Sequence, residues 1–315
     1  MKKPLIILTG PTAVGKTELS IALAHMVQGS VISADSMQVY RHMDIGSAKI
    51  KREEMQGIPH YLIDTFEPDE EFHVVKFQEY AKNYMEEIYL QGRIPILTGG
   101  TGFYIQAVLY DIDFTKQQEE KDYRNYLETL AREKGAHILH EMLAEVDPEA
   151  AATIHENNKK RVIRALEFYH LSGEKISSHN EKERLRESPY LFSYFVLNDR
   201  RERLYDRIDR RVDQMIREGL VEEVQKLKAM GYQKEMTSMQ GLGYKEILDY
   251  LEGDCSLEEA LYRIKRDTRH FAKRQLTWFR REREVTWIPK QDFDYDNDKI
   301  LTYMRQELEE KQILK

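Results

Sequence analysis

Short apolar runs recur through the first hundred residues, each too short for a helix and each followed by a stretch with helical spacing. Leu5-Ile6-Ile7-Leu8 predicts a first buried strand, and Glu18 to Val27 the helix after it. Ser30-Val31-Ile32-Ser33 and His60-Tyr61-Leu62-Ile63-Asp64 read as further strands. Val74 to Leu90 sets Phe77, Ala81, Tyr84, Met85 and Ile88 on one side of a helix. Ile94-Pro95-Ile96-Leu97 then runs as a strand into the turn Gly99-Gly100-Thr101-Gly102. Strand and helix alternating at this spacing predict an α/β core: a parallel sheet covered on both faces, with ligands at the carboxyl ends of its strands.

Near Thr115 the pattern changes. From there to about Pro189 no strand-like alternation remains, and Lys121 to Glu133, His137 to Glu145 and Asn158 to Leu171 read as polar helices. An all-helical insertion over residues 115–189 is expected between two parts of one core, 1–114 and 190–291, with 292–315 as a polar helical tail. Tyr194-Phe195-Val196-Leu197 resumes the sheet, and long helices are expected at Arg200 to Met230, Tyr244 to Leu251 and Ser256 to Glu282. Ser256 with Glu259 gives the last of these a capping box. Val285-Thr286-Trp287-Ile288 reads as an edge strand.

The first chemistry lies between the first strand and its helix. Residues 10–17 read GPTAVGKT, the G-x-x-x-x-G-K-[ST] pattern in its required context. Gly10, Pro11, Thr12, Ala13, Val14 and Gly15 form a loop whose backbone N–H groups can converge on one anion, aided by the positive end of the helix. Lys16 adds a point charge, and the Thr17 hydroxyl suits a magnesium ion. The loop fits the phosphates of ATP or GTP, and equally a pyrophosphate that departs as a leaving group.

Asp35, in Asp35-Ser36-Met37-Gln38, follows the second strand and so falls at the mouth of the phosphate site. Its carboxylate can take a proton from a nucleophile, ligate magnesium through water, or simply cap the next turn. Ser36 and Gln38 can hydrogen-bond the edge of a base. Thr101 sits in a glycine turn that allows close backbone approach, and Gln240 to Lys245 form a further glycine turn.

Composition narrows the classes. No apolar run approaches the roughly 20 residues that span a bilayer, and Met-Lys-Lys-Pro leads straight into the first strand, so neither membrane span nor signal peptide is expected. Cys255 is the only cysteine, which excludes an internal disulfide and a cysteine-rich zinc site. A cytoplasmic protein is expected. Net charge is −7, against general nucleic-acid affinity, yet Arg263 to Arg283 and Lys159-Lys160-Arg161 with Arg164 are strongly basic. Such strips suit a nucleic acid bound at a defined place, or are solvated helix faces.

Taken in order, GPTAVGKTELS, SADSMQVYR, GSAK, PHYLID, GGTGFYIQA, DPEAA, NNKKRVIRALE, MTSMQGLGYKE and AKRQLTWFR resemble the tRNA dimethylallyltransferases (tRNA isopentenyltransferases), over about Ile6 to Trp287. The resemblance implies a P-loop nucleotide-kinase-like core with a helical insertion that grips the tRNA anticodon arm. It implies transfer of a dimethylallyl group from dimethylallyl diphosphate, with Mg2+, to N6 of the adenosine 3′ to the anticodon, flipped out of its loop. Asp35 would be the general base and Thr101 a substrate contact that helps place the leaving group. Residues 10–17 would hold pyrophosphate, with Arg217 as an extra cation. Asp35, Ser36, Met37 and Gln38 would read the adenosine, and Arg124, Lys159, Lys160, Arg161, Val162, Ile163 and Arg164 would touch tRNA. A monomer is expected, and the lack of cysteines for the zinc finger of eukaryotic relatives indicates the bacterial type. Adenylate isopentenyltransferases share the core and prenylate free nucleotides; a P-loop small-molecule kinase and a pure tRNA-binding protein are more distant alternatives.

Overall fold

The apolar run near the N-terminus becomes β1 (Lys3–Thr9), with Leu5, Ile6, Ile7 and Leu8 fully buried. A strand with no exposed face is what the centre of a parallel sheet demands. In the computed structural model, which describes residues 2–114 and 121–314, β1 lies inside a six-stranded, all-parallel sheet. The other strands are β2 (Gly29–Ser33), β3 (His60–Tyr61), β4 (Ile94–Gly99), β5 (Tyr190–Asn198) and β6 (Val285–Pro289), in the spatial order β3-β2-β4-β1-β5-β6. The chain first builds one side of β1 with β2 to β4, then the other with β5 and β6. The order therefore reverses at β1, the position where open α/β sheets leave a crevice at their carboxyl ends.

The helices of the first part are α1 (Lys16–Val27), α2 (Val74–Leu90) and α3 (Gly102–Leu109). The later ones are α4 (Lys121–Lys134), α5 (Ala136–Val146), α6 (Pro148–Thr153), α7 (Lys159–Ser172), α8 (Ile176–Leu185), α9 (Arg201–Arg217), α10 (Leu220–Ala229), α11 (Tyr244–Glu252), α12 (Leu257–Phe279) and α13 (Asn297–Glu310). The chain divides into a core unit, Met1–Leu109 with Pro189–Lys315, and a helical unit, Tyr110–Ser188. The division starts a few residues before Thr115, and the expected boundary itself falls at 115–120, outside the described residues.

Two expectations change. The single helix over Arg200 to Met230 is two, α9 and α10, because Gly219 takes φ 101° and starts a new helix. Residues 292–315 are not a separate tail: Ile300, Met304 and Leu308 of α13 are fully buried in the same cluster as Leu19, Leu23 and Ala24 of α1. The helical unit has its own core, built from Leu127, Leu139, Leu143, Val162 and Leu166. Within it the Asp147-Pro148 pair starts α6: Asp147 Oδ1 accepts from the Ala150 N–H at 3.0 Å, and Oδ2 accepts from the Ser177 N–H at 2.9 Å.

Candidate active site

The loop after β1 enters α1 through Gly15, at φ 101°, a left-handed conformation that any side chain would strain. No side chain caps α1. Its first-turn N–H groups are thus left for an anion. Lys16 Nζ donates to the carbonyls of Gly10 at 3.0 Å and Pro11 at 2.9 Å, folded over the loop it serves. Burial, with the nearby Arg211 guanidinium, pushes its pKa down to about 8 against the pull of Asp35.

Above the loop is a cavity of about 470 Å3 lined by Thr12, Ala13, Gly15, Lys16, Thr17 and Glu18, and across it by Asp35, Gln38, Arg207 and Arg211. Val31, Ile50 and Ile63 give it an apolar wall beside His60. The two arginines come from α9. Leu204, Ile208 and Val212 form that helix's buried stripe, and Arg207 and Arg211 each precede a stripe residue by one position. That offset of about 100° sets both cations at the edge of the buried face. Arg207 Nε donates to the Ala13 carbonyl at 2.8 Å, which ties α9 to the loop. Burial lowers the Arg211 pKa, Asp35 raises it and Arg207 lowers it again. Lys16, Arg207 and Arg211 form no ion pair among the described residues.

Arg217, expected as the extra cation, is exposed and does not line the cavity. It lies six residues past Arg211 on the same helix, about 240° around the axis. Arg207 and Arg211 are the arginines of that helix that line the cavity beside the loop. Their spacing of four residues beside an apolar stripe was the available signal.

Asp35 caps the turn that follows it and also lines the cavity. Oδ1 accepts from the N–H groups of Met37 at 2.8 Å and Gln38 at 3.3 Å, holding the turn. Oδ2 is left over, and the residue lines the cavity. The Gln38 amide is held by Ser33 Oγ at 3.2 Å and by the carbonyls of Ser47 and Ala48 at 3.4 and 3.3 Å. Ser36 and Met37 are half-buried beside it. Thr101 immediately precedes α3; its N–H donates to the Ala34 carbonyl at 3.2 Å, and its hydroxyl has no partner among the described residues. Thr98 and Gly99, rather than Thr101, reach the cavity lining.

His60 is an unforeseen member of the wall. Its Nδ1 lies 2.8 Å from the Ile58 carbonyl, which requires the proton on Nδ1 and leaves Nε2 as an acceptor. Burial lowers its pKa, so the ring is neutral near pH 7.

In the helical unit the expected tRNA residues separate into two groups. Lys159, Lys160 and Arg161 are exposed in the first turn of α7. Val162 and Ile163 are buried in the unit's core, because the helix turns them inward; they are not surface contacts. Arg124 pairs with the buried Glu167 at 2.9 Å, and Arg164 is half-buried.

A P-loop sheet with unpaired cations over the loop and a carboxylate facing them defines an enzyme of phosphate-ester or diphosphate chemistry. The family model described as IPP transferase matches residues 38–282. A tRNA dimethylallyltransferase of Lachnoclostridium phytofermentans is 62% identical over 99% of this chain and 100% of its own length. The solved tRNA isopentenylpyrophosphate transferase of Bacillus halodurans is 46% identical, covering 99% of this chain and 98% of that one, with a TM-score of 0.74. A eukaryotic dimethylallyltransferase solved acting on tRNA is 32% identical, over 88% of this chain and 69% of that one, with a TM-score of 0.76. The chain belongs to the IPP transferase family of tRNA dimethylallyltransferases.

Proposed function

We propose that the cavity at the end of β1 is where this chain transfers a dimethylallyl group from dimethylallyl diphosphate to N6 of the adenosine 3′-adjacent to the anticodon. The observation that carries the reading is the set of half-buried cations, Lys16, Arg207 and Arg211, gathered over the open first turn of α1 with no ion pair among the described residues and only the Asp35 carboxylate facing them. Like charges held together out of water are costly, and a bound diphosphate removes that cost.

The exocyclic amine attacks the allylic carbon, the C–O bond to diphosphate breaks, and pyrophosphate leaves with the electron pair. The amine is a weak nucleophile because its lone pair is delocalised into the ring. Asp35 takes its proton on Oδ2 as the new C–N bond forms, while Oδ1 stays engaged with the turn. Lys16, Arg207 and Arg211 meet the charge that grows on the leaving group. Thr101, two residues past the lining residue Gly99, has a hydroxyl with no partner among the described residues to offer a substrate that extends beyond the cavity, and Gln38, fixed by three partners, presents a rigid edge to the base.

The Thr17 hydroxyl brings a hard oxygen donor to the cavity, one that fits magnesium completed by water and phosphate oxygens. When bound, magnesium would offset charge on the diphosphate. Lys159, Lys160 and Arg161 crowd the positive end of α7, whose first turn holds no acidic residue. Cations there oppose the helix dipole, so local stability does not account for them, and tRNA phosphate does. Among the described residues no helix is long and apolar enough to cross a membrane, and tRNA as substrate points to the cytoplasm.

Mass spectrometry of an anticodon stem-loop RNA, incubated with the enzyme, magnesium and dimethylallyl diphosphate, tests the reading. One dimethylallyl group gained on adenosine is the expected result. Transfer to free AMP but not to the stem-loop would reassign the acceptor, and consumption of ATP without any transfer would make the chain a kinase.

A further inference from the structure

The proposed transfer needs three segments at constant spacing: the diphosphate loop, the Asp35 turn and the Thr101 turn. The last two are joined by backbone, since the Ala34 N–H donates to Thr98 O at 2.7 Å and the Thr101 N–H donates to Ala34 O at 3.2 Å. The ladder between β1 and β4 ends at Thr9 and Gly99. Beyond it, loop and turn are linked by one side chain from α12. Gln275 Oε1 accepts from the Thr12 N–H at 2.8 Å, and Gln275 Nε2 donates to the Gly100 carbonyl at 3.0 Å. Gln275 is 5% exposed.

A buried side chain that must accept from one backbone and donate to another admits few replacements. Glutamate loses the donor when ionised, lysine has no acceptor, and methionine has neither at useful strength. Gly100 completes the fit, because a methyl group built on it would overlap the Gln275 amide. The glycine turn is thus shaped by close approach of a side chain as well as by its own bend.

We propose that Gln275 is a positioning residue of this active site: its amide sets the distance between the loop that holds the diphosphate and the turn that presents Thr101. The proposal rests on the roles given above to the loop and to Thr101. Gln275 touches no substrate, and acts by keeping the leaving group and the acceptor in register. A misplacement of about 1 Å between reacting partners costs about 10²-fold in rate.

The test is steady-state transfer to a stem-loop RNA by Gln275→Met, Thr101→Ala, the two combined, and Gln275→Glu. Gln275→Met keeps the volume but leaves the Thr12 N–H and the Gly100 carbonyl without their partner, so kcat should fall by about 10²-fold, with KM for RNA nearly unchanged and the melting temperature only modestly lowered. Because Gln275 acts through the Thr101 turn, the double variant should lose much less than the product of the single losses. Gln275→Glu should be impaired at neutral pH and recover relative to wild type as pH falls, since a buried carboxylic acid regains the donor toward Gly100 O while still accepting from Thr12. An unchanged kcat in Gln275→Met, or multiplicative losses in the double variant, would overturn the proposal. Should Gln275→Met fail to fold, the ratio of Gln275→Glu to wild type decides alone, and a ratio flat with pH refutes it. A wild type that transfers nothing would instead strike down the function on which the proposal rests.

Discussion

Helix α9 is rich in arginine and α12 in arginine and lysine, and their partly buried cations meet opposite fates. On α12, Arg263, Lys265, Arg266 and Arg269 find Glu259, Asp213, Asp267 and Asp209 at 2.7, 2.5, 2.8 and 2.6 Å. On α9, Arg203 and Arg210 pair with Asp199 and Asp206, but Arg207 and Arg211 face the diphosphate loop unpaired among the described residues. A run of charge therefore does not locate a site. Charge left uncompensated beside an anion cradle does.

The paired cations still serve the unpaired ones. Asp209 and Asp213 lie two residues beyond Arg207 and Arg211, about 200° around α9. Their bonds to Arg269 and Lys265 fix the roll of α9 with its acidic side on α12 and its cationic side on the loop. Each pair is worth only about 0–1 kcal/mol in stability, so their contribution is orientation.

The largest test of this contrast is at Asp35, the carboxylate that faces the cluster. If it served as a counter-ion, Asp35→Asn would mainly alter diphosphate affinity. As a base, Asp35→Asn should lower kcat by about 10²–10⁴-fold, without weakening diphosphate or tRNA binding. Rapid-quench rates beside equilibrium titrations separate the two. Recovery of rate by excess magnesium would make Asp35 a metal ligand instead.

Next in size is the effect at the start of α7, the other place where cations lack a local reason. Arg161→Gln should weaken tRNA binding uniformly across sequences and reduce the slope of log affinity against log salt by about one. Filter binding over a salt series measures it. An unchanged slope would return Arg161 to the solvated surface.

How much of this was legible in the sequence depends on range. The loop at 10–17, Asp35 after β2 and the exposed Lys159-Lys160-Arg161 were readable because each signal is local, a few residues in a defined strand or helix context. The alternation of strand and helix likewise gave the parallel sheet and its edge strand. Arg207, Arg211 and Gln275 were not readable as site residues, since α9 and α12 reach the loop only after the sheet has closed. Arg217 shares α9 with Arg207 and Arg211 but is exposed on another face, a difference that its charge alone does not reveal. Val162 and Ile163 were carried along by their basic neighbours, although an apolar pair inside a helical pattern belongs to a core. The break at Gly219 was masked by polar helix formers on both sides.

A smaller effect concerns pH. Burial holds Lys16 near pKa 8 in the free protein, and a bound diphosphate must raise that value. Below about pH 8 Lys16 is already charged, and its benefit to binding is complete. Above it, binding must take up a proton, so the affinity advantage of wild type over Lys16→Ala should shrink by up to tenfold per pH unit, roughly. Comparing the two proteins cancels the ligand's own ionisation. An advantage constant to pH 10, roughly, would place the Lys16 pKa near its ordinary value.

The most direct test of uncompensated charge as the mark of the site is calorimetric titration of magnesium pyrophosphate into wild type, Arg211→Gln and Arg263→Gln, the latter a cation paired with Glu259 and Asp249 away from α9. Both substitutions remove one arginine charge from the same unit. The predicted result is a loss of about 10²-fold for Arg211→Gln, the scale of removing one preorganised donor to a developing anion, with Arg263→Gln close to wild type. Equal losses in the two variants, or tighter binding by Arg211→Gln, would contradict it.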